Sequence, residues 1–160
     1  IDTVSNYPSP KYPSMTKSFS NWMEVGASTR FKKAKFKKGY LKNDGLAADF
    51  SNYGFKLVDV FAPGHDIYST IPENNYEFSS GTSMAAPMVS GVAALLKSYY
   101  PNFTMLEIKK IILKSSINYS DFITSLPGKP SIETSFGKLS SSGGIANVYS
   151  AVLLAEKTYK

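Results

Sequence analysis

Ser83 lies in the run Gly81-Thr82-Ser83-Met84-Ala85-Ala86-Pro87, and its surroundings suit a nucleophile. From Met84 to Leu96 there is no charged side chain, and Ala85, Ala86, Ser90, Gly91, Ala93 and Ala94 are small. Such a stretch predicts a helix buried all round, whose small residues let neighbouring elements approach the backbone. Gly81-Thr82-Ser83 reads as the turn into its N-terminus, with Pro87 near the first turn, where a missing N–H is tolerated. A serine there sits among unpaired backbone N–H groups at the positive end of the helix dipole. Those donors suit a reaction that builds negative charge on an oxygen, as acyl transfer does. The same position also suits a plain N-cap, in which the hydroxyl only satisfies a backbone N–H. Spacing alone leaves both readings open.

A serine hydroxyl attacks at neutral pH only when an adjacent base takes its proton. The chain has one histidine, His65, following the Pro63-Gly64 turn signal. It reads as a surface loop residue beyond hydrogen-bond reach of Ser83. Asp66 beside it is not expected to reach behind the imidazole, because the two are neighbours in the chain. With no cysteine and one histidine there is no zinc pattern. No Gly-rich phosphate loop is present, and the run around Ser83 lacks the second glycine of a hydrolase nucleophile elbow.

The elements that must position Ser83 are legible around it. Met23 to Ala27 and Leu57 to Gly64 read as strands, the second ending in a Pro-Gly turn. Ile67 to Thr70 and Tyr76 to Ser79 are two more, separated by the polar turn Pro72-Glu73-Asn74-Asn75. Downstream, Thr104 and Glu107 form a capping box, with Phe103 and Ile108 spaced for a hydrophobic staple, so a helix should run to about Ser115. The stretch from Asn118 to Leu139 predicts loops with a short strand. Gly143-Gly144 then precedes a last helix capped by Asn147, with Val148, Ala151, Val152 and Ala155 as its buried face.

Composition bounds the rest. A chain of 160 residues with 42% hydrophobic content has room for a single domain with a substantial core. Absence of cysteine excludes disulfides. No stretch is long and apolar enough to span a bilayer, which takes about 20 residues. Most of the net charge of +6 comes from Lys32, Lys33, Lys35, Lys37 and Lys38, interleaved with Phe31, Phe36 and Tyr40. That pattern can bind an anionic polymer, but it reads more simply as a solvated loop or exposed hairpin. The remainder is nearly neutral, so neither a nucleic-acid partner nor a membrane is indicated.

The literal string Gly81 to Pro87, followed by a small-residue helix, resembles the nucleophile motif of the subtilisin-like serine proteases, the subtilases. Phe50-Ser51-Asn52-Tyr53-Gly54, Val60-Phe61-Ala62-Pro63-Gly64 and the Gly-rich turn before the last helix also look like subtilase sequence. Tyr12-Pro13-Ser14 resembles the Tyr-Pro that follows the family's oxyanion asparagine, a bond commonly cis there. The segment from about 29 to 46, with its lysines, is the main departure. The resemblance implies an α/β fold: part of a three-layer subtilisin-like architecture, with a mainly parallel sheet and a buried central helix starting at the nucleophile. It implies that residues 1–160 are a single-domain piece, the C-terminal portion of the catalytic domain. It further implies serine endopeptidase chemistry on peptide or protein substrates through a Ser83 acyl-enzyme. Ser83 would then lend its own N–H to the oxyanion, with the Thr82 hydroxyl as a weaker support.

The family's aspartate, histidine and oxyanion asparagine have no match in this chain, so they are expected from an upstream segment, in cis or as a separate chain. Alone, the 160 residues should be inactive. Structural calcium, a secreted or extracytoplasmic location and a bacterial source are what the resemblance implies, and no calcium ligand set is matched. The rival reading is an inactive pseudoprotease or binding module that uses the Lys-rich insertion.

Overall fold

The computed structural model describes residues 17, 19–30, 35–37, 40–42 and 45–158. Tyr12-Pro13-Ser14 lies outside them. Strands and helices follow in the order β1 (Val25–Ser28), β2 (Lys35–Lys37), β3 (Tyr40–Lys42), β4 (Val60–Pro63), β5 (Ile67–Ile71) and β6 (Asn75–Ser79). After these come α1 (Thr82–Tyr99), α2 (Met105–Ser115), β7 (Ile117–Asn118), β8 (Phe122–Leu126), β9 (Lys129–Ser135), a 3-10 turn at Phe136–Lys138, β10 (Gly144–Ile145) and α3 (Val148–Thr158).

The central sheet has the order β1-β4-β10-β7, with β4 parallel to both β1 and β10 and only β7 antiparallel. Strand β4 shows why it forms: Val60, Phe61 and Ala62 are all fully buried, as a strand covered on both faces requires. Val60 and Ala62 join a core with Ala27, Ala85, Val89, Leu96, Ile108, Ile112, Ala151 and Ala155, which is the face covered by α1, α2 and α3. Phe61 points the other way, into a second cluster with Leu46, Val58, Phe136 and Leu139. Its ring lies 4.9 Å from that of Phe136.

The second helix follows its sequence signals closely. Thr104 Oγ1 accepts from Glu107 N–H at 3.2 Å, and Glu107 Oε2 accepts from Thr104 N–H at 2.7 Å. Phe103 and Ile108 both reach the core, as the staple requires. Asn147 caps α3 through Oδ1 and the Ser150 N–H at 2.8 Å. Ala151 and Ala155 are buried as expected and Val152 is partly buried against the same core, but Val148, the first residue of α3, is exposed.

Three expectations need correction. The helix α1 is not buried all round: Ala85, Val89 and Leu96 are buried, while Met88 is 41% exposed and Leu95 and Tyr99 also face outward. One stripe packs on β1 and β4 and against α2 and α3, and nothing among the described residues covers the opposite one. Pro87 is the sixth residue of α1 and lies in its second turn, not its first.

The stretch from 118 to 139 is not mainly loop. It forms the antiparallel pair β8–β9 around Pro127-Gly128, with Gly128 at φ +71°, where a glycine meets no steric cost. Through β8 that pair joins β3 in parallel, and β3 pairs antiparallel with β2, giving a second sheet of order β2-β3-β8-β9. The described strands of the Lys-rich segment, Lys35–Lys37 and Tyr40–Lys42, are therefore tied into a sheet with β8 and β9.

Candidate active site

Ser83 is the second residue of α1 and is exposed. The N-cap is Gly81, with extended backbone and no side-chain cap, so the simple N-cap reading of Ser83 does not hold. At this end the Gly81 N–H donates to the Gly64 carbonyl at 2.8 Å, and the Met84 N–H donates to the Gly81 carbonyl at 3.0 Å. The N–H groups of Thr82 and Ser83 have no acceptor among the described residues, and neither does the Ser83 hydroxyl. Two free backbone donors thus flank an exposed hydroxyl at the positive end of an 18-residue helix. Pro87 adds to this: it has no N–H to give the Ser83 carbonyl, which lies four residues before it.

What fixes this end in space is the C-terminal end of the parallel strands. The Gly64 N–H donates to the Ser28 carbonyl at 3.0 Å, continuing the β1–β4 pairing by one residue. A Cβ at Gly64 would lie 2.7 Å from Ala27 Cβ, 2.8 Å from the Gly81 carbonyl oxygen and 3.1 Å from Ala85 Cβ. Glycine is required because three backbones converge there. Ahead of Ser83, the two expected strands β5 and β6 form and pair antiparallel, with Glu73 and Asn74 in the left-handed region at the turn. The Ser80 hydroxyl then accepts from the Asp66 N–H at 2.9 Å. The chain entering α1 is held at Ser80 and at Gly81.

His65 is on the surface, as expected of a loop residue, with its side chain 43% exposed. The expectation for Asp66 is overturned: its Oδ2 lies 3.3 Å from His65 Nδ1. The physical reason is the left-handed backbone of Asp66, φ +53°, which turns its side chain back on its neighbour. The ring of His65 also stacks on Phe50, centroids 6.2 Å apart and 14° from parallel. Sequence spacing does not announce this pair, since a left-handed aspartate is not written in the residue types.

Among the described residues no group of three or more His, Cys, Asp or Glu side chains is placed to hold a metal ion. Among them, too, no helix is long and apolar enough to cross a membrane.

Residues 3–141 match the profile of the subtilase family. A thermophilic serine proteinase of Bacillus sp. (strain AK1) is 47% identical over 91 residues, 54% of this chain and 22% of that protein. Subtilisin-like protease 2 of Plasmodium falciparum is 51% identical over 72 residues, 42% of this chain and 5% of that protein. Among solved structures, that of the subtilase cytotoxin SubAB assembly superposes with a TM-score of 0.67 at 25% identity, covering 99% of this chain and 46% of that one. The chain therefore spans less than half the length of each of these relatives.

Proposed function

The chain belongs to the subtilase family, and on that premise we propose that it is the nucleophile-bearing part of a serine endopeptidase. In this reading the Ser83 hydroxyl attacks the peptide carbonyl carbon and its proton passes to a base. The C–N bond then breaks, the amine leaves with that proton, and water hydrolyses the acyl-enzyme. The Ser83 N–H stabilises the developing oxyanion, and Thr82, first residue of α1, supports that turn. The observation that carries the reading is the exposed Ser83 hydroxyl beside two free N–H groups at the N-terminus of α1.

The catalytic aspartate and histidine and the second oxyanion donor come, in this proposal, from residues outside this chain, in cis or on a separate chain. The small share of each relative that the chain spans supports this division, as does the uncovered outer stripe of α1. Residues 1–160 are then one domain piece, the C-terminal portion of the catalytic domain. Relatives named cell wall-associated protease and subtilisin support an extracytoplasmic setting. Similar proteins occur in bacteria and in Plasmodium, so the likeness does not single out a bacterial source.

The test is covalent labelling of the intact protein by a fluorophosphonate probe. Labelling that vanishes in Ser83→Ala is the expected result; labelling that persists in the alanine variant overturns the assignment.

A further inference from the structure

The second sheet gathers lysines at the register positions of one face. Directly paired residues share a face of a sheet, and successive residues of a strand alternate between faces. Phe36, Leu41, Phe122 and Thr124 therefore belong to one face, and Lys35, Lys37, Tyr40, Lys42, Ile123 and Ser125 to the other. Thr124 is fully buried, and Phe122 packs against the cluster that holds Phe61, so the first face is turned to the central sheet. The lysine face is the outer one, on the side of the central sheet away from α1.

The charge on that face is poorly balanced. One row across the four strands reads Lys35, Lys42, Ile123 and Ser135. Like charges directly opposite each other destabilise a sheet, and this row holds no acidic residue to offset the pair. Among the paired residues of the face the one carboxylate is Glu133, opposite Ser125 on the far edge strand β9. Lys32, Lys33 and Lys38 adjoin β2 in the chain and add charge of the same sign. Lysines also guard a sheet edge against chance pairing. A guard does not require two of them in direct opposition.

The surplus suits an anionic partner, and three features select an extended acidic polypeptide. Lys35 and Lys37 stand two residues apart on a strand, about 6.8 Å, the repeat of alternate side chains in any extended chain. Among the described residues β2 pairs with β3 alone, so another strand can add along its edge. Nucleic acid is the poorer match, because Phe36 belongs to the inner face and leaves Tyr40 as the lone aromatic for base stacking.

Taking the protease reading as its basis, we propose that this face docks an acidic, extended segment of the protein substrate, with Glu or Asp at alternate positions. The segment lies apart from the scissile bond. Docking there raises the local concentration of substrate at Ser83 and leaves the chemistry alone, so its effect belongs in KM.

Two measurements on the intact protein test this. The first is anisotropy of a labelled decapeptide of alternating Glu and Thr, bound to the Ser83→Ala variant, with alternating Gln and Thr as control. The acidic peptide should bind about tenfold tighter than the control, and less so as salt is raised. Lys35→Gln, Lys37→Gln and Lys42→Gln combined should cut that ratio to about twofold or less, while arginine at the three positions retains it. The second compares one cleavable peptide carrying either decapeptide as a tail. The acidic tail should lower KM by about tenfold at equal kcat, and the triple glutamine variant should lose the difference. Each ratio compares two peptides on one protein, so any loss of folded protein cancels. Equal binding of the two decapeptides overturns the inference, as does a preference that survives the triple glutamine change. Tighter binding of a ten-nucleotide oligo(dT) than of the acidic peptide also overturns it. If Ser83 is labelled and peptides are cleaved, any of these results sinks the docking face alone. Neither labelling nor cleavage in the wild type sinks the protease reading, and the substrate role of this face with it.

Discussion

The carbonyl of Gly64 accepts a 2.8 Å hydrogen bond from the N–H of Gly81, and this contact ties the end of β4 to the start of α1. A Cβ at Gly64 would press on the carbonyl oxygen of Gly81, on Ala27 and on Ala85. Gly64→Ala should therefore push the α1 N-terminus away from the strand ends. Overpacking at so tight a site costs about 1–3 kcal/mol. The larger effect should be functional, because a shift of about 1 Å in a reacting group can cost on the order of 100-fold in rate. Chemical unfolding and the fluorophosphonate labelling rate of Ser83 check the two parts. Unchanged labelling would mean that Gly64 does not position the nucleophile.

Lys109 on α2 is the cross-link between helix and sheet. Its Nζ lies 3.2 Å from Asp59 Oδ1 and donates to the Trp22 carbonyl, while Asp59 Oδ2 accepts from Glu24 N–H at 2.9 Å. Both charges are largely shielded, with side chains 18% and 20% exposed. Lys109→Met leaves the Asp59 charge without its cation and should destabilise the fold by about 1–3 kcal/mol. Adding Asp59→Asn should recover part of that loss. A double-mutant cycle by urea unfolding measures the coupling, and strict additivity would show that the pair does not act as a unit.

The capping box of α2 makes a prediction with a defined pH sign. Hydrogen bonds from the Thr104 backbone and hydroxyl hold the Glu107 carboxyl below its ordinary value. A folded-state pKa below the unfolded one contributes stability that is present above the unfolded value and is lost as pH falls through the folded value. The stability gap between wild type and Glu107→Gln should thus be open at neutral pH and close on acidification below the usual carboxylate range. Thr104→Ala should cost about 1 kcal/mol at neutral pH, the ordinary loss for an N-cap. A gap that widened in acid would contradict the sign.

Much of this architecture is legible in residue types because its signals are local. The capping box lies within four residues, the β5–β6 turn within four, and the helix start at Gly81-Thr82-Ser83 within three. What was not legible depends on distant pairing or on one dihedral angle. The strand β9 mixes Lys, Ser, Glu and Thr around a single Ile, and β8, only five residues long, gains its place by pairing with β3, some eighty residues upstream. Pro127-Gly128 was a usable turn signal for that hairpin. The His65–Asp66 contact had none, since it depends on the left-handed backbone of Asp66. The outward stripe of α1 misled for another reason: an apolar helix looks the same in sequence whichever side its partner lies on.

That stripe gives the last prediction. Met88 and Leu95 are exposed on it, and a Cβ at Gly91 would meet no atom within 4 Å. If the rest of the catalytic domain packs there, as the protease reading requires, the same substitution must have opposite effects in the two contexts. In the 160-residue chain, Gly91→Leu should be neutral or slightly stabilising, by up to about 1 kcal/mol, because glycine is a poor helix former. In the intact protein it should destabilise by about 1–3 kcal/mol through overpacking and depress Ser83 labelling. The 160-residue chain should itself be silent as a peptidase, since removing the base from such a triad costs on the order of 10⁶ in kcat. Its exposed stripe should also make it prone to association. Supplying the upstream segment in trans should restore both solubility and labelling to the wild-type chain, and should fail with Gly91→Leu. Light scattering and probe labelling read the two effects. Robust turnover by the monomeric 160-residue chain, lost in Ser83→Ala, would show that the base lies within these residues after all, and rescue of Gly91→Leu equal to wild type would show that the missing part packs elsewhere.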